Sequence, residues 1–166
     1  KEIDMAVHSM KDMPSYLPEG LKFAHSPRRE DPRDALIFRE GYKTLEDLPQ
    51  GAKIGTGSKR RKYQLLKHRP DLEIVPIRGN IETRIKKIET ENLDGVVLAA
   101  SGLRRAGLEE KIDYYIPTDI MLPAPAQGIL ALEIREDDKE TEKIIDSIKD
   151  DITKIQIDAE RGFLIG

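Results

Sequence analysis

The stretch KIGTGSKRRKYQLLKHRPDLEIVPIRGNIETRIKKIETENLDGVVLAA, residues 53–100, decides the fold. Three apolar runs of strand length, Lys53–Gly55, Leu72–Ile77 and Gly95–Ala100, are separated by two segments of helical period, Ser58–His68 and Ile81–Glu91. Leu65, Leu66 and Arg69 sit at helical spacing, as do Ile81, Ile85 and Ile88, which gives each segment one apolar face. Pro70 with Asp71 closes the first helix, and Asn92 with Asp94 closes the second. Strand, helix, strand, helix, strand predicts a parallel βαβαβ unit with helices on the faces of its sheet.

Outward from this unit, further strands are expected at Ile3–Val7, Leu21–His25, Ala35–Phe38 and Gly128–Ile134, and helices at Lys139–Lys149 and Ile152–Leu164. Ile3–Val7 has the apolar, partly β-branched content of a buried strand. Two proline-rich segments interrupt the alternation: SPRREDPRDA (26–35) and MLPAPAQG (121–128). A chain that leaves one sheet at the first and returns at the second makes two lobes joined by two crossings. Such α/β proteins bind ligands in the cleft and close by hinge motion. The plainer alternative is one domain with two surface loops.

The totals narrow the classes. Length and a 38% hydrophobic content fit one or two small globular domains. A net charge of -3 argues against a general coat for nucleic acid. With no cysteine, neither disulfides nor zinc–thiolate sites belong to this stretch. No secretory signal and no bilayer-length apolar run is visible, so a cytoplasmic protein is the expectation. The chain starts almost inside a strand and stops after AERGFLIG, reading like a piece of a longer protein.

The strongest local chemistry lies in GTGSKRR, residues 55–61. Glycines let backbone N–H groups approach a ligand closely, and the start of a helix adds open donors and partial positive charge. Thr56 and Ser58 supply hydroxyls, either as donors or as helix caps. Arg60 and Arg61 follow in the first turn, where they oppose the helix dipole, so stability alone does not favour them. Guanidinium forks beside unpaired N–H groups suit carboxylate or phosphate. The spacing fits neither the Walker nor the dinucleotide motif.

The next strand ends in PIRGN and brings Arg78, with Arg84 in the helix after it. The third ends in AASGLRRAG and brings Ser101, Arg104 and Arg105. Parallel strand ends lie side by side, so Arg60, Arg61, Arg78, Arg84 and one of Arg104 or Arg105 can line one basic cleft. Single-strand nucleic-acid binders add stacking aromatics, and aromatics here are 5% with no tryptophan. A small molecule bearing several carboxylates fits better. The turn HSMKDMP (8–14) adds Ser9, Lys11 and Asp12 at another strand end. Asp12 can pair with an arginine, or it can stabilise a transient cation and exchange protons with a ligand nitrogen.

VHSMKDMP (7–14), REDPRDAL (29–36), GTGSKRR (55–61), RPDL (69–72), IRGNIETR (77–84), LAASGLRRAG (98–107) and LPAPAQG (122–128), in this order, resemble the porphobilinogen deaminase (hydroxymethylbilane synthase) family. The resemblance covers nearly the whole chain. It implies an α/β fold with two lobes of the type II periplasmic-binding-protein kind and the start of a third α+β domain. Residues 1–28 with 124–146 would form part of domain 1, 34–122 domain 2, and 150–166 the beginning of domain 3. It implies a transferase of heme biosynthesis that joins four porphobilinogen units head to tail with release of ammonia. The chain grows on a covalent dipyrromethane cofactor, anchored through a cysteine that is absent from this sequence.

Asp12 matches the family's catalytic aspartate, which stabilises pyrrolic cations as an electron-poor azafulvene forms and is attacked. Arg60, Arg61, Arg78, Arg84 and Arg105 match arginines that bind acetate and propionate groups. Ser9, Lys11, Thr56, Ser58 and Gln127 match surrounding binding positions. Where Gly57 and Lys59 stand, the family commonly has serine and an apolar residue. The implied partner is porphobilinogen, with no metal, nucleic acid or membrane, and the implied state is a cytoplasmic monomer. The competing reading is a two-lobed binding protein for a small polycarboxylate, without catalysis. A nucleic-acid binder, whose affinity would fall steeply with salt, is the third.

Overall fold

A computed structural model describes residues 3–165. Residues 1, 2 and 166, at the outer ends of the ranges expected for the first and third domains, lie outside the described residues. The chain divides into two compact units, Lys1–Pro32 with Ala124–Gly166 and Arg33–Pro123. Both divisions fall inside the two proline-rich segments.

The continuous unit holds a five-stranded sheet. Its strands are β3 (Asp34–Phe38), β4 (Lys53–Gly55), β5 (Glu73–Val75), β6 (Gly95–Ala99) and β7 (Tyr114–Tyr115), in the order β5-β4-β6-β3-β7. β4 runs parallel to both β5 and β6, and β3 lies antiparallel to β6 and β7. Helices α1 (Lys59–His68) and α2 (Ile81–Thr90) make the two crossovers of the expected βαβαβ unit.

Both faces of this sheet are covered. Leu36, Ile54, Leu65, Val97 and Met121 pack on one face; Ala35, Ile37, Ile88, Val96, Leu98 and Leu103 pack on the other. Burial on both faces is why β3 and most of β6 read as unbroken apolar runs rather than as alternation.

One expected strand is shorter, and two elements lie outside the sequence reading. The strand expected over 95–100 gives way at its last residue to a short helix, α3 (Ala100–Arg105). It is too brief to show a helical repeat, with Leu103 alone supplying a large buried anchor. Residues Leu72–Ile77 pair as a strand only over Glu73–Val75, because Pro76 cannot donate to a ladder. Ile77 is nevertheless buried in the core. β7, a two-residue strand, has too little sequence to declare itself.

The other unit is an antiparallel sheet in the order β1-β8-β2, with β1 (Met5–Ser9), β8 (Leu130–Arg135) and β2 (Leu21–Phe23). β1 is an edge strand and not the buried one its composition suggests. Met5 and Val7 are exposed on one side, while His8 on the other bonds Glu133 of β8 at 2.9 Å. The expected C-terminal helix of residues 139–149 stops at Ile145 as α4 (Lys139–Ile145), followed by a tighter 3-10 turn over Asp146–Ile148.

The last helix, α5 (Asp151–Ile165), groups with this unit. Arg29 grips Glu160 through both guanidinium ends, at 2.5 and 3.0 Å, and its backbone N–H donates to Thr153 at 2.8 Å. Glu160 also accepts from the Ala126 N–H at 2.6 Å, so one helix carboxylate ties both proline-rich segments. These segments also hold each other: Glu30 N–H donates to the Gly128 carbonyl at 3.1 Å, and the Gln127 amide to the Pro32 carbonyl at 2.7 Å. Gly128 has φ +91°, and a Cβ there would stand 2.5 Å from the Glu30 carbonyl oxygen, so glycine is required on both counts.

Candidate functional site

In the unit Arg33–Pro123, β4 runs into the turn Thr56–Gly57–Ser58 and then α1. Ser58 is the N-cap, accepting from the Arg61 N–H at 3.4 Å. Thr56 is buried; its N–H donates to the Val75 carbonyl at 2.9 Å, and its hydroxyl accepts from the Ser58 N–H at 3.2 Å. Both hydroxyl residues therefore shape the turn. Gly57 is exposed, and a Cβ on it would come within 2.6 Å of the Ile77 carbonyl oxygen. Its lack of a side chain lets the turn lie against the backbone that follows β5.

Arg60 and Arg61 do not simply project into solvent. Both grip Asp34, the first residue of β3, whose side chain is wholly buried. Arg61 is buried with it: Nε donates to Oδ1 at 3.0 Å, Nη2 approaches Oδ1 at 2.8 Å, and Nη1 donates to the Val97 carbonyl at 3.2 Å. Arg60 Nη2 reaches Asp34 Oδ2 at 2.7 Å, and its Nη1 donates to the Leu122 carbonyl. A quarter of the Arg60 side chain stays exposed.

Burial pulls the Arg61 guanidinium below its ordinary value, Asp34 works in the other direction, and the charges of Arg60 and Arg84 add to the lowering. Sequence reading missed Asp34. The only cue was an acidic residue at the first position of a strand that is otherwise apolar.

Arg84, on α2, is partly buried, and its Nε is the one buried side-chain polar atom without a hydrogen-bond partner among the described residues. A buried unsatisfied donor costs roughly 1–3 kcal/mol, so a site that retains one invites an acceptor. Arg78 follows β5 and is exposed, with no polar partner among the described residues. Arg105 ends α3 and is exposed, while its neighbour Arg104 pairs with Glu109 at 3.3 Å.

In the other unit, β1 ends at Ser9 and leads into a 3-10 turn, Met10–Asp12, closed at Pro14. Met10 is buried as its anchor, and its N–H donates to the Ile129 carbonyl at 3.0 Å. From α5, Arg161 donates to the Pro14 carbonyl at 2.6 Å. Lys11 donates to Gln127 Oε1 at 3.3 Å, and Gln127 is fully buried. Asp12 is exposed and has no hydrogen bond or ion pair among the described residues, and the Ser9 hydroxyl is likewise unpartnered. The arginine pairing that would have made Asp12 merely structural is not found there. The described residues include no His, Asp and Glu cluster that could hold a metal.

The fold is α/β, of the type II periplasmic-binding-protein kind. The probable amino-acid ABC transporter extracellular-binding protein ytmK from Bacillus subtilis matches with a TM-score of 0.54 over 98% of this chain and 69% of its own, at 12% identity. That likeness shows the fold alone.

Residues 1–143 match the family model described as "Porphobilinogen deaminase, dipyromethane cofactor binding domain". Porphobilinogen deaminase of Clostridioides difficile (strain 630) is 68% identical over 99% of this chain and 55% of its own, and that of Clostridium novyi (strain NT) is 62% identical over 99% and 56%. The chain belongs to the porphobilinogen deaminase family. It spans about half the length of these curated relatives.

The residues present fit a dipyrromethane cofactor with carboxylate side chains. A buried guanidinium nitrogen without an acceptor at Arg84, an open guanidinium at Arg78 and a partly open one at Arg60 are the donor set such carboxylates require.

Proposed function

We propose that the protein carrying this chain is a hydroxymethylbilane synthase, a transferase that joins four porphobilinogen units with release of ammonia in tetrapyrrole biosynthesis. The observation that carries this reading is the contrast in charge between two sets of residues in a chain of this family. Arginines with unfilled hydrogen-bonding capacity stand on one unit, and a carboxylate with no partner among the described residues stands on the other.

The dipyrromethane, held through a cysteine outside this sequence, supplies the pyrrole carbon to which the first substrate unit is joined. Arg60, Arg78, Arg84 and Arg105 hold acetate and propionate groups and so fix register, which is catalysis by positioning; Arg61, expected from the sequence among them, is saturated by Asp34 and the Val97 carbonyl and supports the group from inside. Asp12, whose side chain has no hydrogen bond or ion pair among the described residues, meets positive charge that develops on the substrate pyrrole as its aminomethyl group leaves. A preorganised charge of this kind is worth roughly several kcal/mol of barrier. Ser9 offers a hydroxyl beside it. Lys11, steadied by the buried Gln127, adds a cation to the same turn. Thr56 and Ser58 hold the turn from which Arg60 and Arg61 project.

In this reading α5 begins a further domain of the complete protein, and residues 1–28 with 124–146 belong to one domain and 34–122 to another. The protein acts as a cytoplasmic monomer, with porphobilinogen as its partner and neither nucleic acid nor membrane required. None of the described helices is long and apolar enough to cross a membrane.

The test is the intact mass of the complete protein before and after brief exposure to porphobilinogen. A resting mass heavier by a dipyrrole, rising in single-pyrrole steps, is expected. A folded complete protein whose mass never rises overturns the reading.

A further inference from the structure

The geometry points to Asp34 as a positioning residue that holds the Arg60 guanidinium for ligand carboxylates, an inference that rests on the function proposed above. Asp34 opens β3 at the end of the first proline-rich segment and carries a carboxylate with no exposure. Its two oxygens face different arginines: Oδ1 takes Arg61 and Oδ2 takes Arg60.

Two consecutive arginines in the first turn of α1 repel each other and oppose the helix dipole. Left alone, both would swing toward water. The buried carboxylate compensates that repulsion and divides the pair. Arg61 is drawn inward, where each of its three guanidinium nitrogens has a partner. Arg60 is fixed by Nη2 on Asp34 and Nη1 on the Leu122 carbonyl, which leaves its Nε edge and a quarter of its side chain open.

The Leu122 backbone is held in turn by Gln64 of α1, which accepts from its N–H at 2.8 Å and donates to its carbonyl at 3.2 Å. A guanidinium anchored at two points has lost most of its rotamer freedom before a ligand arrives. An anion therefore pays little ordering entropy to bind it. Asp34 touches neither substrate nor reacting atoms in this scheme; it acts through Arg60.

The test compares Asp34→Asn, Arg61→Gln and the double variant with wild type, each as the complete protein. Arg61→Gln leaves Asp34 holding Arg60. The double variant removes both buried charges together, so it stays folded even where Asp34→Asn alone strands Arg61 without a counter-charge. One readout is the Arg60 Nε–H resonance. The other is mass increase with porphobilinogen at limiting and saturating concentrations, which separates KM from kcat.

The double variant is expected to take up porphobilinogen about 10- to 100-fold less efficiently than Arg61→Gln, the scale of losing one hydrogen bond to a charged group. Most of that loss should lie in KM, with a shifted and exchange-broadened Arg60 resonance. Equal uptake by the two variants and an unmoved Arg60 signal overturn the inference. If the wild type itself takes up no porphobilinogen, the proposed function fails instead, and the Arg60 resonance still decides whether Asp34 holds that guanidinium.

Discussion

The turn that carries Asp12 and the strand start that carries Asp34 place two carboxylates in opposite situations. Asp12 sits on a short turn anchored by buried Met10, with its side chain in solvent and no ion pair among the described residues. Asp34 is wholly buried, and two guanidinium groups fill its oxygens. Each follows a basic residue in the chain, Lys11 or Arg33, so the immediate sequence does not separate them. A carboxylate surrounded by arginines in a dry site is a fixed counter-charge, whereas one left open on a rigid turn remains available for chemistry.

The contrast is most exposed to failure in stability. Asp34→Asn should cost about 3–5 kcal/mol, the usual loss when one partner of a buried ion pair is removed. Denaturant unfolding measures it, and a loss near zero would erase the distinction. Asp12→Asn should do the reverse. Unfolding should change by no more than about 0.5 kcal/mol, as for an ordinary surface substitution, while turnover by the complete protein falls about 10²–10³-fold. Near-normal turnover would remove Asp12 from the reaction.

Arg84→Met sharpens the same point from the side of the bases. It deletes a buried unsatisfied donor, so thermal stability should hold or rise, while porphobilinogen uptake drops about tenfold or more, since a hydrogen bond to a charged group is worth roughly 1.5–3 kcal/mol. Arg78→Leu should leave unfolding unchanged, because the residue is exposed and has no polar partner among the described residues, and should weaken cofactor loading or elongation. Unaltered loading and elongation would make Arg78 a bystander.

The smallest effect belongs to carboxylates of a third kind, which are partnered but near the surface. Arg69 holds the Asp71 carboxyl well below the usual carboxylate range, and the Thr141 N–H and hydroxyl lower that of Asp138 at the start of α4. A depressed folded value gives stability that is complete above the unfolded value near 4 and fades as pH drops through the folded one. Unfolding at pH 3 compared with pH 6 should show that loss, and Asp71→Asn should reduce it. A loss of the same size in Asp71→Asn would take this pair out of the acid response.

Much of the architecture is legible in the order of residues along the chain. The parallel βαβαβ unit can be read from residues 53–100 because strands buried on both faces and helices with one apolar stripe leave different periodicities. The turn at Gly55–Ser58 is readable for a similarly local reason: glycine, a capping serine and a helix start are neighbours in the chain. α3 and β7 are not, since six and two residues are too few for a period to show. The exposed face of β1 is also hidden, because composition records how apolar a strand is and not how many neighbours it finds.

The sequence by itself determined which residues carry charge, where the chain turns, and the motifs that place it in its family, since all of these depend on residues close together in the chain. Only the tertiary structure decided which charges are free. Asp34 lies 26 and 27 residues from the arginines it binds, and Gln127 lies 116 from Lys11. Pairing across such distances is set by how the strands are ordered and what they bury. The separation of the open Asp12 from the saturated Asp34 is therefore a property of the folded chain.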